Sequence, residues 1–166
     1  ISRAIRARLG NTFILHGNVH DIMRDAGGNY TPVPRFMASQ IFGRRDVVIE
    51  YQRANGPIFH TPESHRRFTE VAQVVDLVHN TDHARSLPRD PLPFLGLLDS
   101  FLQHAVRDGN CGVAILLPYS ETLIPESSGD GSPEDRAVRV FIQKWASDPS
   151  LLAADISIVL LTENLS

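Results

Sequence analysis

Val113-Ala114-Ile115-Leu116-Leu117 is the most hydrophobic run of the chain, and Ile156-Ser157-Ile158-Val159-Leu160-Leu161 comes close to it. A short, nearly continuous apolar run of this kind is the pattern of a strand buried on both faces inside a parallel sheet. Val113–Leu117 is therefore expected at the centre of the sheet. Thr12–Leu15, ended by His16-Gly17-Asn18, reads as another doubly buried strand. Val47–Tyr51 reads as the next, with Asn55-Gly56-Pro57 as the turn after it.

Helical periodicity fills the space between these strands. Behind Thr61 as a cap, Pro62–Val78 places Phe68, Val71, Ala72, Val75 and Val78 at i, i+3, i+4, i+7 spacing. Pro93–Arg107 turns Phe94, Leu98, Phe101, Leu102 and Ala105 inward and stops at Asp108-Gly109-Asn110. Ser132 caps a further helix with Pro133 in its first turn and Val138, Phe141, Ile142 and Trp145 facing in, until Asp148-Pro149 ends it. Two shorter helices are expected over Ile1–Leu9 and over Pro32–Phe42. The second has Thr31 as its cap, Val33, Phe36, Met37, Gln40 and Ile41 as its inner stripe, and Gly43 at its close. Asp25-Ala26-Gly27-Gly28-Asn29 is turn chemistry inside a long loop or small hairpin over 18–33. Residues 79–90 read as a polar connection, and Ser127–Gly131 as a flexible loop. Strands alternating with amphipathic helices imply one α/β domain over 1–166, three-layer α/β/α, with a mainly parallel sheet.

Composition narrows the function classes. The 166 residues carry 16 basic and 19 acidic side chains, a formal charge of −3, and Lys144 is the only lysine. Any chemistry that needs a lysine in a motif must use Lys144, which sits mid-helix beside Trp145 and reads as a solvated helix residue. The single Cys111 excludes an internal disulfide and a multi-cysteine metal site; it reads as a small core residue and suits a reducing, cytoplasmic setting. Mild acidity spread along the chain argues against nucleic acid as a partner. No stretch approaches the roughly 20 apolar residues of a membrane span. The chain opens on Ile1 and stops directly after an apolar strand, so a fragment of a larger protein is expected.

In open parallel sheets, ligands bind beyond the carboxyl ends of the strands. Those ends here are His16-Gly17-Asn18, Tyr51-Gln52-Arg53, Pro118-Tyr119-Ser120-Glu121 and Thr162-Glu163-Asn164. Gly17-Asn18-Val19-His20-Asp21 has the flavour of a metallophosphoesterase element, but that chemistry needs an earlier D-x-H and Asp21 is the first aspartate of the chain. His79 with His83, and His16 with His20, have metal-pair spacing. Two ligands do not make a site, and ordinary surface histidines are the simpler reading. Arg44-Arg45 and Arg66-Arg67 read as solvated faces.

The order of elements resembles the RecA-like core of AAA+ ATPases. More narrowly, Ile5-Arg6-Ala7-Arg8 leading into Thr12-Phe13-Ile14-Leu15-His16-Gly17-Asn18 resembles the N-terminal part of bacterial AAA-family ATPases, in which a degenerate P-loop-like module precedes the catalytic AAA module. The resemblance implies a P-loop NTPase-like fold with strand order 1-4-3-2, the first strand lying exposed at an edge. It also implies partners: the C-terminal AAA module of the same chain, and an oligomer of the parent protein. ATP and Mg²⁺ would belong to that parent, with no cofactor in this fragment and no metal site. The hydrolytic residues are missing. A P-loop needs G-x-x-x-x-G-K-[ST], and the loop after Thr12–Leu15 holds no lysine. Pro118 and Tyr119 stand where a Walker B carboxylate would follow its strand. His16, Gly17, Asn18, Thr162 and Asn164 remain as cofactor-binding candidates, Thr162 or Asn164 in the place of the polar sensor. The expected function is a non-catalytic N-terminal module serving assembly, regulation or partner binding. The alternatives are a nucleotide-binding domain that grips phosphate without lysine, at the start of the 32–42 helix, and a metal-dependent phosphoesterase.

Overall fold

The computed structural model describes residues 11–17, 20–123 and 132–162. β1 (Thr12–His16) leads through a hairpin, β2 (Ile22–Arg24) and β3 (Tyr30–Pro32), into α1 (Val33–Phe36), which runs on as a π-helical turn over Met37–Ile41. β4 (Val47–Gln52) and β5 (Gly56–Phe59) follow, then α2 (Pro62–His79) and α3 (Pro91–Asp108). Next come β6 (Val113–Pro118), a single turn α4 (Ser120–Leu123), α5 (Pro133–Ser147), α6 (Pro149–Ala153) and β7 (Ile156–Thr162). The expected Ile1–Leu9 helix, the 127–131 loop, Asn18, Glu163 and Asn164 lie outside the described residues.

The main sheet runs β1-β7-β6-β4-β5. Its pairs are parallel except β4 with β5. β6 is its middle strand and fully buried. The expected order 1-4-3-2 counted four strands; the sheet has five, the fifth lying outside β4. Asn55-Gly56 does turn the chain, and Gly56 has a φ of +74° that suits only glycine. Beyond it the chain returns as an antiparallel edge strand instead of leaving as a loop. Pro57 is tolerated there because an edge position does not need its missing N–H.

Alternation along the strands divides the core in two. Val47, Ile49, Tyr51, Val113, Ile115, Leu117, Ile156, Ile158 and Leu160 face α2, α3, α5 and α6. Val48, Ala114, Leu116, Val159 and Leu161 face, among the described residues, Met37, Ala38 and Phe42, with Phe13, Val33 and Tyr119 at the margin. The capping readings hold at two helices: Thr61 Oγ1 accepts from Ser64 N–H at 3.1 Å and Ser132 Oγ from Asp135 N–H at 3.1 Å. Buried Ser64 does a second job, accepting the Val48 N–H at 3.0 Å where β5 no longer reaches β4.

Several local expectations fail for identifiable reasons. Thr12–Leu15 is not buried on both faces: β1 lies at the edge where the family resemblance put the first strand, and Ile14 is 62% and Leu15 37% exposed. Thr31 does not cap α1. It belongs to β3, opposite Met23, and the cap residue is Pro32 without a side-chain bond. The π-turn adds a residue to the helical repeat and shifts its buried face to Pro34, Met37, Ala38 and Phe42, leaving Gln40 and Ile41 outside. Gly43 ends this turn because a Cβ there would lie 2.2 Å from the Ser39 carbonyl oxygen. On α2, Val78 is 74% exposed, and Asp76 takes the buried place beside Phe68 and Ala72.

Candidate functional site

The residues after β1 and β7 do meet. His16 is in register with Thr162, and Gly17 N–H donates to the Thr162 carbonyl at 3.0 Å. That bond spends on the sheet an amide that a phosphate loop would turn toward its ligand. Asn18 and Asn164 lie outside the described residues. From Gly17 the chain does not enter a helix directly. It makes the β2–β3 hairpin, closed by Asp25 Oδ1 accepting from Asn29 N–H at 2.9 Å, and only then reaches α1. At the entrance of α1, Pro32 and Pro34 have no N–H, and Val33 N–H donates to the Asp21 carbonyl at 3.1 Å.

A cleft opens one strand further across, at the carboxyl ends of β4 and β6. One lobe, of about 630 Å³, lies between the hairpin, α1, β5 and Tyr119, with Ile22, Pro34 and Ile58 as apolar walls and Glu50 and His60 among its polar groups. A second lobe, of about 440 Å³, continues past Arg53, Ala54 and Thr122. His20, Gln52 and Tyr119 belong to both lobes.

Glu50 is the unusual residue here. It sits in an otherwise apolar strand and is 5% exposed. Its Oε2 lies 2.7 Å from His60 Nε2. An ionised carboxylate only accepts, so Nε2 carries the proton. Glu50 pairs with Ile58 across the β4–β5 ladder, and His60 follows two residues later on the same face. Antiparallel pairing of the unforeseen β5 is thus what builds the pair. Among the described residues, His60 is the one hydrogen-bond partner of the Glu50 carboxylate.

Tyr119 bounds the cleft on the β6 side. Its φ of +56° is left-handed, a region that costs a residue bearing a Cβ about 1–2 kcal/mol. The neighbouring turn holds it there: Thr122 N–H and Thr122 Oγ1 donate to the Tyr119 carbonyl at 2.9 and 2.7 Å, and Ser120 Oγ donates to the Leu161 carbonyl at 3.2 Å. The phenol oxygen then lies 3.1 Å from His20 Nε2. Arg53, at the mouth of the second lobe, is paired with Asp135 on α5 at 3.2 Å. Beneath it, burial pushes the Tyr51 phenol up to about 12, against the opposing pull of Arg53, and its OH donates to the Arg89 carbonyl at 2.7 Å. Tyr51 is thus a structural phenol and not an acid–base group.

Family comparison agrees with this architecture. Across residues 1–166 the chain matches the model of the AAA+ chaperone N-terminal Rossmann-like domain. The chain belongs to that family. No curated protein and no solved structure matches it. As an N-terminal module of an AAA+ protein, it has a mainly parallel sheet whose first strand leads to a hairpin.

The remaining candidates fall elsewhere. Among the described residues, no three His, Cys, Asp or Glu converge as a metal site would require. His79 ends α2, while His83 lies in the following loop and gives its backbone N–H to Asp76 at 2.9 Å. Burial pushes the Cys111 thiol up, which disfavours the thiolate. Lys144 is half-exposed but not idle: its ammonium donates to Asp99 at 2.9 Å, and the same carboxylate accepts the Trp145 indole N–H at 2.8 Å. Arg45 reaches Asp155 and Ser157, and Arg66 bridges Glu63 and Glu70, so these arginines brace the fold and a helix face. No described helix is long and apolar enough to cross a membrane.

Sequence reading singled out Gln52, Arg53 and Tyr119 as strand-end residues and missed Glu50 and His60. The signal for Glu50 was present: one carboxylate inside the apolar run Val47–Tyr51. His60 offered none until β5 was known to fold back.

Proposed function

We propose that this module is non-catalytic and serves its AAA+ protein by binding a partner, with ATP hydrolysis carried by an AAA module further along the same cytoplasmic, bacterial polypeptide. The observation that carries this reading is the path from β1 to α1. Phosphate binding at a helix start needs several free backbone amides, and it gains from a lysine. Here the Gly17 and Val33 amides are already bonded, Pro32 and Pro34 have none, and a hairpin separates strand from helix. The same facts weigh against a lysine-free phosphate grip at the start of α1. Pro118 and Tyr119 after β6 leave the Walker B place without a carboxylate.

Titration calorimetry of this chain with ATP, ADP and Mg²⁺ tests the reading. The expected result is no binding heat at millimolar nucleotide and no phosphate release. Turnover that disappears on replacing Asn18 or Asn164 would overturn it.

A further inference from the structure

We propose that the Glu50 cleft receives one basic side chain, arginine or lysine, from a partner polypeptide. This inference rests on the partner-binding reading and names what is bound.

The floor of the cleft decides the sign of the ligand. Glu50 is almost fully buried, and His60 is its one described partner. A carboxylate has about four acceptor positions and is costly to desolvate when they go unfilled. An anion on this floor would face Glu50 directly. An apolar ligand would strip water from the carboxylate and return no hydrogen bond. A cationic head with several N–H donors satisfies it, and a guanidinium does so in a fork geometry.

The walls fit the remainder of such a side chain. Ile22, Pro34 and Ile58 line the way to Glu50 and suit an aliphatic stem, which packs well on apolar surface while its head seeks charge. Tyr119 offers an aromatic face at the same place.

The rim separates a polypeptide from a free polyamine. Arg35 is exposed at the edge of the first lobe, and Arg53 stands at the mouth of the second. A molecule with several positive charges would meet Arg35 at one end and, at the other, Arg53 with its Asp135 partner. A single basic side chain whose neighbours are neutral or acidic places one cation on Glu50 and its backbone carbonyls or carboxylates near the arginines. The second lobe gives the flanking residues a course past Ala54 and Thr122.

The test is titration of the ¹⁵N-labelled protein, followed by amide shifts, with four probes: N-acetyl-arginine methylamide, its citrulline counterpart, N-acetyl-glutamate methylamide and spermidine. The arginine probe is expected to move the amides of Glu50, Ile58, His60 and Tyr119, and to bind at least tenfold more tightly than each of the other three. Glu50→Gln should weaken the arginine probe tenfold or more while leaving the rest of the spectrum in place. Because the four-probe comparison uses the unaltered protein, a variant that fails to fold leaves the test intact. Shifts scattered over the surface, equal binding of citrulline or glutamate, or stronger binding of spermidine would each overturn the proposal. None of those outcomes touches the calorimetric test with nucleotide, so the two readings fail separately.

Discussion

The two faces of the sheet are unequal. Four helices cover one face and press aromatic and branched side chains, including Phe68, Phe94, Phe101 and Trp145, onto alternate residues of β4, β6 and β7. Among the described residues, one short helix and its π-turn cover the other, with Met37, Ala38 and Phe42 as the buried contacts. On the thick side the strands present only apolar and aromatic residues, and the buried polar Ser64 and Asp76 belong to α2. The thin one includes two buried polar residues, Glu50 and Ser157, and is open at the carboxyl ends of its strands, where the cleft lies. Beside the described part of this layer, a buried carboxylate lines the cleft. Stability and site have thus been placed on opposite sides of the same strands.

The largest test of this contrast is in the thick layer. Leu98→Ala is expected to cost about 3–5 kcal/mol, because close-packed neighbours on all sides cannot collapse into the void. Met37→Ala on the thin side should cost nearer 2 kcal/mol, at the low end of the range for such truncations. Urea unfolding of both variants measures the difference; equal losses would mean that the thin layer is packed as tightly as the thick one.

Gly43→Ala probes how the thin layer ends. Its methyl would meet the Ser39 carbonyl, so the π-turn must open, at a cost of about 1–3 kcal/mol. A variant as stable as the parent would show that the turn relaxes freely.

Asp76 anchors the far end of α2. Burial works to raise its pKa, but hydrogen bonds from Thr81 and from the Ala84 and His83 amides outweigh burial and hold it below the ordinary 3.8. A depressed carboxylate contributes stability that is complete above its unfolded value and is lost as pH falls through the folded one. Asp76→Asn should therefore lose about 1–3 kcal/mol at pH 7 and show a shallower acid limb below pH ~4 in thermal melts. An unchanged acid limb would assign that dependence to other carboxylates.

The smallest effect is expected at the β1 edge. Ile14→Thr should change stability by no more than about 0.5 kcal/mol, since Ile14 is 62% exposed although its register partner Leu160 is buried. A loss of 2 kcal/mol or more in the same urea series would mean that this edge is covered.

Much of the fold is legible in the residues alone, because hydrophobic period and capping chemistry are local. Val113–Leu117 announces a central strand, and Thr61 and Ser132 announce their helices. The α/β class and the missing lysine also follow from reading along the chain. Tertiary structure decided what depends on a partner far away in sequence. It turned Gly56–Phe59 into an edge strand, moved the buried face of the 33–42 segment through a π-turn, and paired Glu50 with His60. Single residues carry no record of these outcomes, since each is fixed by which backbone lies alongside. The sequence therefore determined what kind of domain this is, and only the folded sheet determined where its cleft lies.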